Sequence, residues 1–188
     1  MKKVLILASG NGSNAENISK FLKKIDSGNE IKVLSNTKEA GVFEKMKNLN
    51  IPCSLIKSTN NEYLIKQCKG FQPDLIILAG YLKKIPIELI NIYENKIINI
   101  HPSLLPKYGG RGMYGDKVHN QILLNHEKET GITIHFVNEK YDKGKIIFQK
   151  KINLQTEETL ETIKEKVKNL EIRHFPIIIY ELLYGRKY

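Results

Sequence analysis

From residue 2 to residue 80 the chain alternates short, unbroken apolar runs with segments whose apolar residues recur every three or four positions. The runs are KKVLILAS (2–9), EIKVLSN (30–36), IPCSLIK (51–57) and DLIILAG (74–80). Between them lie NAENISKFLKKI (14–25), GVFEKMKNL (41–49) and NNEYLIKQCKG (60–70). In the first of these Ala15, Ile18, Leu22 and Ile25 share one helical stripe. A strand that is apolar on both faces has to be covered on both, and a helix between two such strands returns the chain to start the next strand in parallel. The predicted fold is therefore doubly wound α/β: a mostly parallel sheet with helices on both faces, Rossmann-like in pattern.

Farther on, ENKIINIH (94–101) reads as another strand, followed by a loop over residues 102–115 that holds Gly109, Gly110, Gly112 and Gly115. A helix is expected over 116–125. GITIHFVNE (131–139) and KIIFQKKINL (145–154), joined by KYDKG, read as an antiparallel pair at the sheet edge near the C-terminal part. The last helix is expected over 157–184, with Leu160, Ile163, Val167 and Leu170 on one face and Pro176 kinking or breaking it. With 188 residues the chain is expected to form a single domain, 1–188.

Several classes of protein fit poorly. The apolar run at the start is shorter than a signal peptide needs, and nothing approaches the roughly 18 apolar residues of a membrane span. Cys53 and Cys68 are neither a CxxC pair nor a disulfide framework, which suits a reducing compartment. The expected location is cytoplasmic, with no membrane partner. The net charge of +10 raises the question of nucleic acid, but the lysines fall in scattered pairs such as Lys23 and Lys24, Lys83 and Lys84, and Lys150 and Lys151. A solvated basic surface that steers small anions is the expectation, and no nucleic-acid partner.

The SGNGSNA loop, residues 9–15, carries the G-x-G-x-x-A spacing of a dinucleotide site. Such a site wants an acidic residue at the end of the second strand, where this chain has Ser35, Asn36 and Thr37. No NAD is expected. Glycines still let the backbone approach a phosphate, Ser13 and Asn14 can cap the helix, and the free N–H groups at its start attract an anion. A single phosphate is the expected guest, although a loop of this kind taken alone is more often a tight turn with nothing bound.

The segment NIHPSLLP, residues 99–106, ends a buried strand with an amide and an imidazole two positions apart. Alternation puts Asn99 and His101 on one face of the strand, about 6–7 Å apart, at its carboxyl end, where parallel sheets collect ligands. An amide donor can steady an oxyanion, worth about a hundred- to a thousandfold in rate. An imidazole can carry protons between an attacking and a departing nitrogen, worth roughly a hundred- to ten-thousandfold. There is no G-x-S-x-G elbow, so direct transfer between two bound substrates is favoured over a covalent intermediate. Asp142, in YDKG, is the best carboxylate partner for His101 and is expected to raise its pKa. The remaining histidines, His119, His126, His135 and His174, have no metal-ligand spacing, and no metal is expected.

These segments together resemble the folate-dependent formyltransferases. VLILASGNGSN, PDLIILAGYLKKI, INIHPSLLPKYGG, GITIHFVNEKYDKGKIIFQ and NLEIRHFP match in order and cover nearly the whole chain. The resemblance implies transfer of the formyl group of 10-formyltetrahydrofolate to the amine of 5'-phosphoribosylglycinamide in purine biosynthesis. Asn99, His101 and Asp142 would be the catalytic trio, with His101 the proton donor. Gly12, Ser13 and Asn14 would hold the substrate phosphate, and Glu171 would bind its amine or ribose side. Leu82, Lys83, Ile85, Asn99, Asn138 and Tyr141, with the backbone leading to Asp142, would bind the folate. A cis peptide is implied between Leu105 and Pro106. Where the family often has a basic residue the chain has Asn61, and where it usually has Arg the chain has Lys83, a point charge in place of a fork. The GGRGMYGDK loop is longer than in common members.

Formyltransferases acting on aminoacyl-tRNA or sugar amines are the alternatives within this chemistry, and generally carry a further C-terminal domain that 188 residues leave no room for. A non-catalytic nucleotide-binding module is the alternative outside it. Monomer and homodimer are both compatible with the sequence.

Overall fold

A computed structural model of the chain describes residues 1–56 and 61–188. The elements follow in the order β1 (Lys3–Ala8), α1 (Ser13–Ile25), β2 (Glu30–Ser35), α2 (Val42–Asn48), β3 (Cys53–Leu55), α3 (Glu62–Phe71), β4 (Leu75–Leu78), α4 (Ile87–Ile92), β5 (Ile97–His101), α5 (Asp116–Leu124), β6 (Glu129–Phe136), β7 (Ile146–Asn153) and α6 (Leu160–Tyr184). The sheet has seven strands in the order β3-β2-β1-β4-β5-β6-β7. Pairing is parallel for β1 with β2, β1 with β4 and β2 with β3, and antiparallel for β6 with β7. The doubly wound, mostly parallel architecture read from the sequence is the one observed.

Contacts divide the chain into two compact units: Met1–Ile98 with Pro176–Tyr188, and Asn99–Phe175. In the first, Val4, Leu5, Ile6 and Leu7 of β1 are buried without exception, as are all four residues of β4. Ala15, Ile18 and Leu22 of α1 are fully buried, the stripe expected of that helix, while Ile25 at its end is half-buried. In the second unit β6 supplies Ile132 and Ile134 to the core, and α5 supplies Val118 and Ile122.

Three local readings change. The β3 strand is three residues long, shorter than the 51–57 run; residues 57–60, which include the expected start of the third helix, lie outside the described residues. The helix α4 was not expected, because six residues are too few to establish a 3.6-residue period. It starts behind Pro86, whose fixed φ of −58° suits a helix entry, and buries Leu89 and Ile90. Pro176 lies inside α6, and the helix runs on through it. Proline in a helix interior costs about 3 kcal/mol, but Phe175, Ile178, Ile179 and Leu183 around and after it are buried. Burying that many large apolar side chains outweighs one lost hydrogen bond.

Candidate active site

The strongest chemical constellation lies in the unit 99–175. Asn99 and His101 occupy alternate positions of β5, so they share a face, while Ile98 and Ile100 are buried on the other. His101 is 4% exposed. Its Nε2 is 2.7 Å from the carbonyl oxygen of Tyr108. A carbonyl can only accept, so Nε2 must carry a hydrogen, and in the neutral ring Nδ1 is then the bare nitrogen. That Nδ1 faces Asp142 Oδ1 at 3.7 Å. The ring is thus held by its far nitrogen and presents its basic one beside a carboxylate.

Asp142 sits in the connection between β6 and β7 with φ of +54°, in the left-handed region that aspartate tolerates better than most residues. Gly110 N–H donates to its Oδ2 at 2.8 Å. Two residues on, Gly144 lies so close to Phe136 that a Cβ would collide with the Phe136 carbonyl oxygen. Glycine there lets the turn fold tightly against β6, which helps hold Asp142 in place.

The sequence reading missed His135, considering it only as a metal ligand. It is 2% exposed on β6. Its Nδ1 is 2.8 Å from the Phe136 carbonyl oxygen and therefore carries the hydrogen, leaving Nε2 to accept from Asn99 Nδ2 at 3.2 Å. The same Nε2 is 3.6 Å from Asp142 Oδ1. His135 thus fixes which end of the Asn99 amide is NH₂ and leaves the second N–H of that group for another acceptor. The available signal was alternation: in GITIHF, Thr133 and His135 share the face opposite Ile132 and Ile134.

Thr133 holds the loop that follows β5. Its hydroxyl donates to Ser103 O at 2.7 Å and accepts from Leu105 N at 3.0 Å and Gln149 Nε2 at 2.9 Å, while the same Gln149 Nε2 donates to Leu105 O at 2.9 Å. Ser103 Oγ donates to Lys107 O at 2.8 Å. The Leu105–Pro106 peptide is cis. These bonds hold the loop leading to the Tyr108 carbonyl, which accepts the hydrogen bond from His101 Nε2–H.

Asp142 pushes the His101 pKa up as expected, and burial adds a larger push the other way. Burial pushes the His101 pKa down, and although Asp142 and the Tyr108 carbonyl push it up, the net direction is down from 6.5. Asp142 does favour the imidazolium, but the resting ring is neutral, because desolvation outweighs the single carboxylate. For Asp142, burial pushes the carboxyl up, and the groups around it, the Gly110 N–H among them, more than offset this and leave it below the usual range. The pair at rest is carboxylate and neutral imidazole.

The other residues singled out in the sequence fall as follows. In the unit 99–175, Asn138 and Tyr141 are exposed in the β6–β7 connection, where Asn138 Oδ1 accepts from Lys140 N at 3.0 Å. Glu171 is half-buried on α6. In the other unit, Leu82 and Lys83 are exposed and Ile85 is buried. Asn61 is the residue before α3 and makes no side-chain capping bond. Gly12, with φ of +77°, is the N-cap of α1 and has no side chain with which to cap it. The expectation that Ser13 and Asn14 cap it is corrected: both are already helical. A Cβ on Gly12 would lie 2.6 Å from Val42 Cβ, so the loop is pressed against α2. The start of a 13-residue helix, with a glycine at its N-cap, is suited to an anion. Among the described residues no cluster of His, Cys, Asp and Glu suits a metal ion, and no helix is long and apolar enough to cross a membrane.

The profile of the formyl transferase family matches residues 2–179. This chain belongs to the formyl transferase family. Among its relatives, the chloroplastic phosphoribosylglycinamide formyltransferase of Vigna unguiculata is 39% identical over 178 residues, 90% of this chain and 57% of that protein. The phosphoribosylglycinamide formyltransferase of Bacillus subtilis is 36% identical over 191 residues, covering 97% of this chain and 95% of that one. Against the two plant relatives the chain spans 57% and 60% of their length. The crystal structure of the phosphoribosylglycinamide formyltransferase of Bacillus halodurans superposes with a TM-score of 0.86 at 36% identity, covering 97% of this chain and 96% of that one. Within the matched range, NIHPSLLP carries Asn99 and His101, GITIHF carries His135, and the later D-x-G carries Asp142.

Proposed function

We propose that this chain transfers the formyl group of 10-formyltetrahydrofolate to the primary amine of 5'-phosphoribosylglycinamide, and that residues 1–188 act as one formyltransferase domain. The observation that carries the proposal is the bare Nδ1 of a buried His101, facing the Asp142 carboxylate on the same strand face as a donor amide. The family match supports formyl transfer and the relatives' names support phosphoribosylglycinamide as the acceptor, while the folate donor follows from the resemblance of the sequence segments.

The chemistry follows from the resting protonation. The substrate amine attacks the formyl carbon, forming a C–N bond and moving the carbonyl electron pair onto oxygen. Asn99 Nδ2 gives one hydrogen to His135 and has its other for that oxyanion, an arrangement set before the reaction starts. His101 Nδ1 accepts the proton the attacking nitrogen must lose, and Asp142 steadies the imidazolium. The same Nδ1 then returns the proton to N10 of the folate as the C–N10 bond breaks. Products are formylated amine and tetrahydrofolate, with no net proton change and no protein adduct. Burial, by pushing the His101 pKa down, favours the neutral ring that can take the first proton. Gly12, Ser13 and Asn14 at the start of α1 would hold the phosphate, Glu171 the amine or ribose side, and Leu82, Lys83, Ile85, Asn138 and Tyr141 the folate.

The test is release of tetrahydrofolate by the purified chain with both substrates, repeated with His101→Ala. The wild type should turn over and the variant should lose at least about a hundredfold. Full activity in the variant removes His101 from the mechanism; no wild-type turnover with phosphoribosylglycinamide, but turnover with a sugar-nucleotide amine or an aminoacyl-tRNA, replaces the acceptor.

A further inference from the structure

Three chain segments leave the carboxyl ends of β1, β2 and β4 in the unit that contains residues 1–98, and one side chain ties them together. Ser9 follows β1 and precedes Gly10. Its hydroxyl donates to Asn36 Oδ1 at 2.6 Å, just past the end of β2, and accepts from Leu82 N–H at 3.0 Å, beyond β4. Its own N–H donates to the Gly80 carbonyl at 3.1 Å. The hydroxyl's single hydrogen is committed to Asn36, which aims a lone pair at Leu82.

The two segments joined in this way are the two to which substrates are assigned. On one side, residues 10–14 form the anion loop, braced by Val42 N–H to the Gly10 carbonyl at 3.4 Å and by Gly12 packed on Val42. On the other, residues 79–86 carry no helix or strand, Gly80 has φ of +74°, and Leu82 is 50% exposed. Leu82 is therefore set by few contacts of its own side chain, and the Ser9 hydroxyl fixes its backbone.

We propose that Ser9 is a positioning residue that couples the two substrate sites, so that ordering of the phosphate loop steadies the folate-binding segment through Ser9 Oγ and Leu82 N–H. The inference rests on the substrate assignment above. A ligand that immobilises Gly10 also immobilises Ser9, and with it the acceptor that holds Leu82. The folate then binds to a segment whose ordering entropy has already been lost. Linkage requires the effect to be reciprocal.

Tetrahydrofolate, which has no formyl group to transfer, is titrated calorimetrically into the wild type with and without saturating phosphoribosylglycinamide. One hydrogen bond's net worth corresponds to about a three- to tenfold tightening. In Ser9→Ala the tightening should fall to within about twofold of none, the KM for formyl donor should rise three- to tenfold, and kcat should stay within about twofold. Ser9→Thr, which keeps the hydroxyl, should restore the coupling. Asn36→Ala should lose part of it, and the double variant should be no worse than Ser9→Ala alone. Undiminished coupling in Ser9→Ala overturns the inference, as does wild type that binds both ligands independently. If the wild type binds neither ligand, the substrate assignment itself is what fails.

Discussion

Asp142→Asn isolates the electrostatic part of the site. Asparagine keeps the shape, adopts φ near +54° as readily as aspartate, and can still accept the Gly110 N–H, so the turn should persist. What goes is a charge 3.7 Å from His101 Nδ1. At that distance and an effective dielectric constant of about 20, a unit pair is worth about 4 kcal/mol. The amide dipole and returning water recover part of this, leaving about 2–3 kcal/mol of lost support for the imidazolium. If the imidazolium is formed on the way to the transition state, kcat should fall roughly thirty- to 150-fold.

The pH profile gives the same variant a second readout, with a definite sign. Asp142 pushes the His101 pKa up, against burial. Without it the ring stays neutral to lower pH, so the acid limb of kcat/KM should move to lower pH than in the wild type. Steady-state release of tetrahydrofolate between pH 4.5 and 8.5 measures both effects. An Asp142→Asn enzyme with wild-type kcat, or with its acid limb moved to higher pH, would refute the reasoning.

His135→Ala should release the Asn99 amide from its fixed orientation and lower kcat about threefold to tenfold with little change in either KM; equal losses in KM would make His135 a binding group instead. Gly144→Ala should destabilise the chain by about 2 kcal/mol or more in urea unfolding, since the new methyl meets the Phe136 carbonyl, and an unchanged midpoint would show that the turn gives way freely. Folding stability should fall as pH drops below about 6.5. His101 and His119 are both buried, with pKa values pushed down by desolvation, so the unfolded chain takes up protons first and the stability is lost as pH falls through the folded values. A flat urea midpoint from pH 7 to 5 would contradict this.

The sheet was legible because β4, and β1 from Val4 to Ala8, are apolar at every position, a pattern few environments other than a doubly covered strand accept. Asn99, His101 and Asp142 were legible for different reasons: the first two from alternation at a strand end, the third from a tight turn rich in polar residues. Their proximity was not, because it depends on the path of the chain between residues 101 and 142. His135 escaped because its signal, one polar residue in an alternating strand, is shared by many solvent-facing positions. The upward push of Asp142 on the His101 pKa was legible, but its net direction was not, for a related reason: a partner carboxylate can be read from sequence, whereas the depth of burial that outweighs it cannot. Pro176 shows the converse, a strong local rule overridden by the apolar residues that flank it.

The most direct test is a crystal structure of the chain with phosphoribosylglycinamide and a folate analogue bearing a non-transferable group at the formyl position. The account predicts the analogue's carbonyl oxygen within hydrogen-bond reach of Asn99 Nδ2, and His101 Nδ1 turned to the substrate amine with Asp142 behind it. A carbonyl bound away from Asn99, with His101 Nδ1 still pointing only at Asp142, would contradict it.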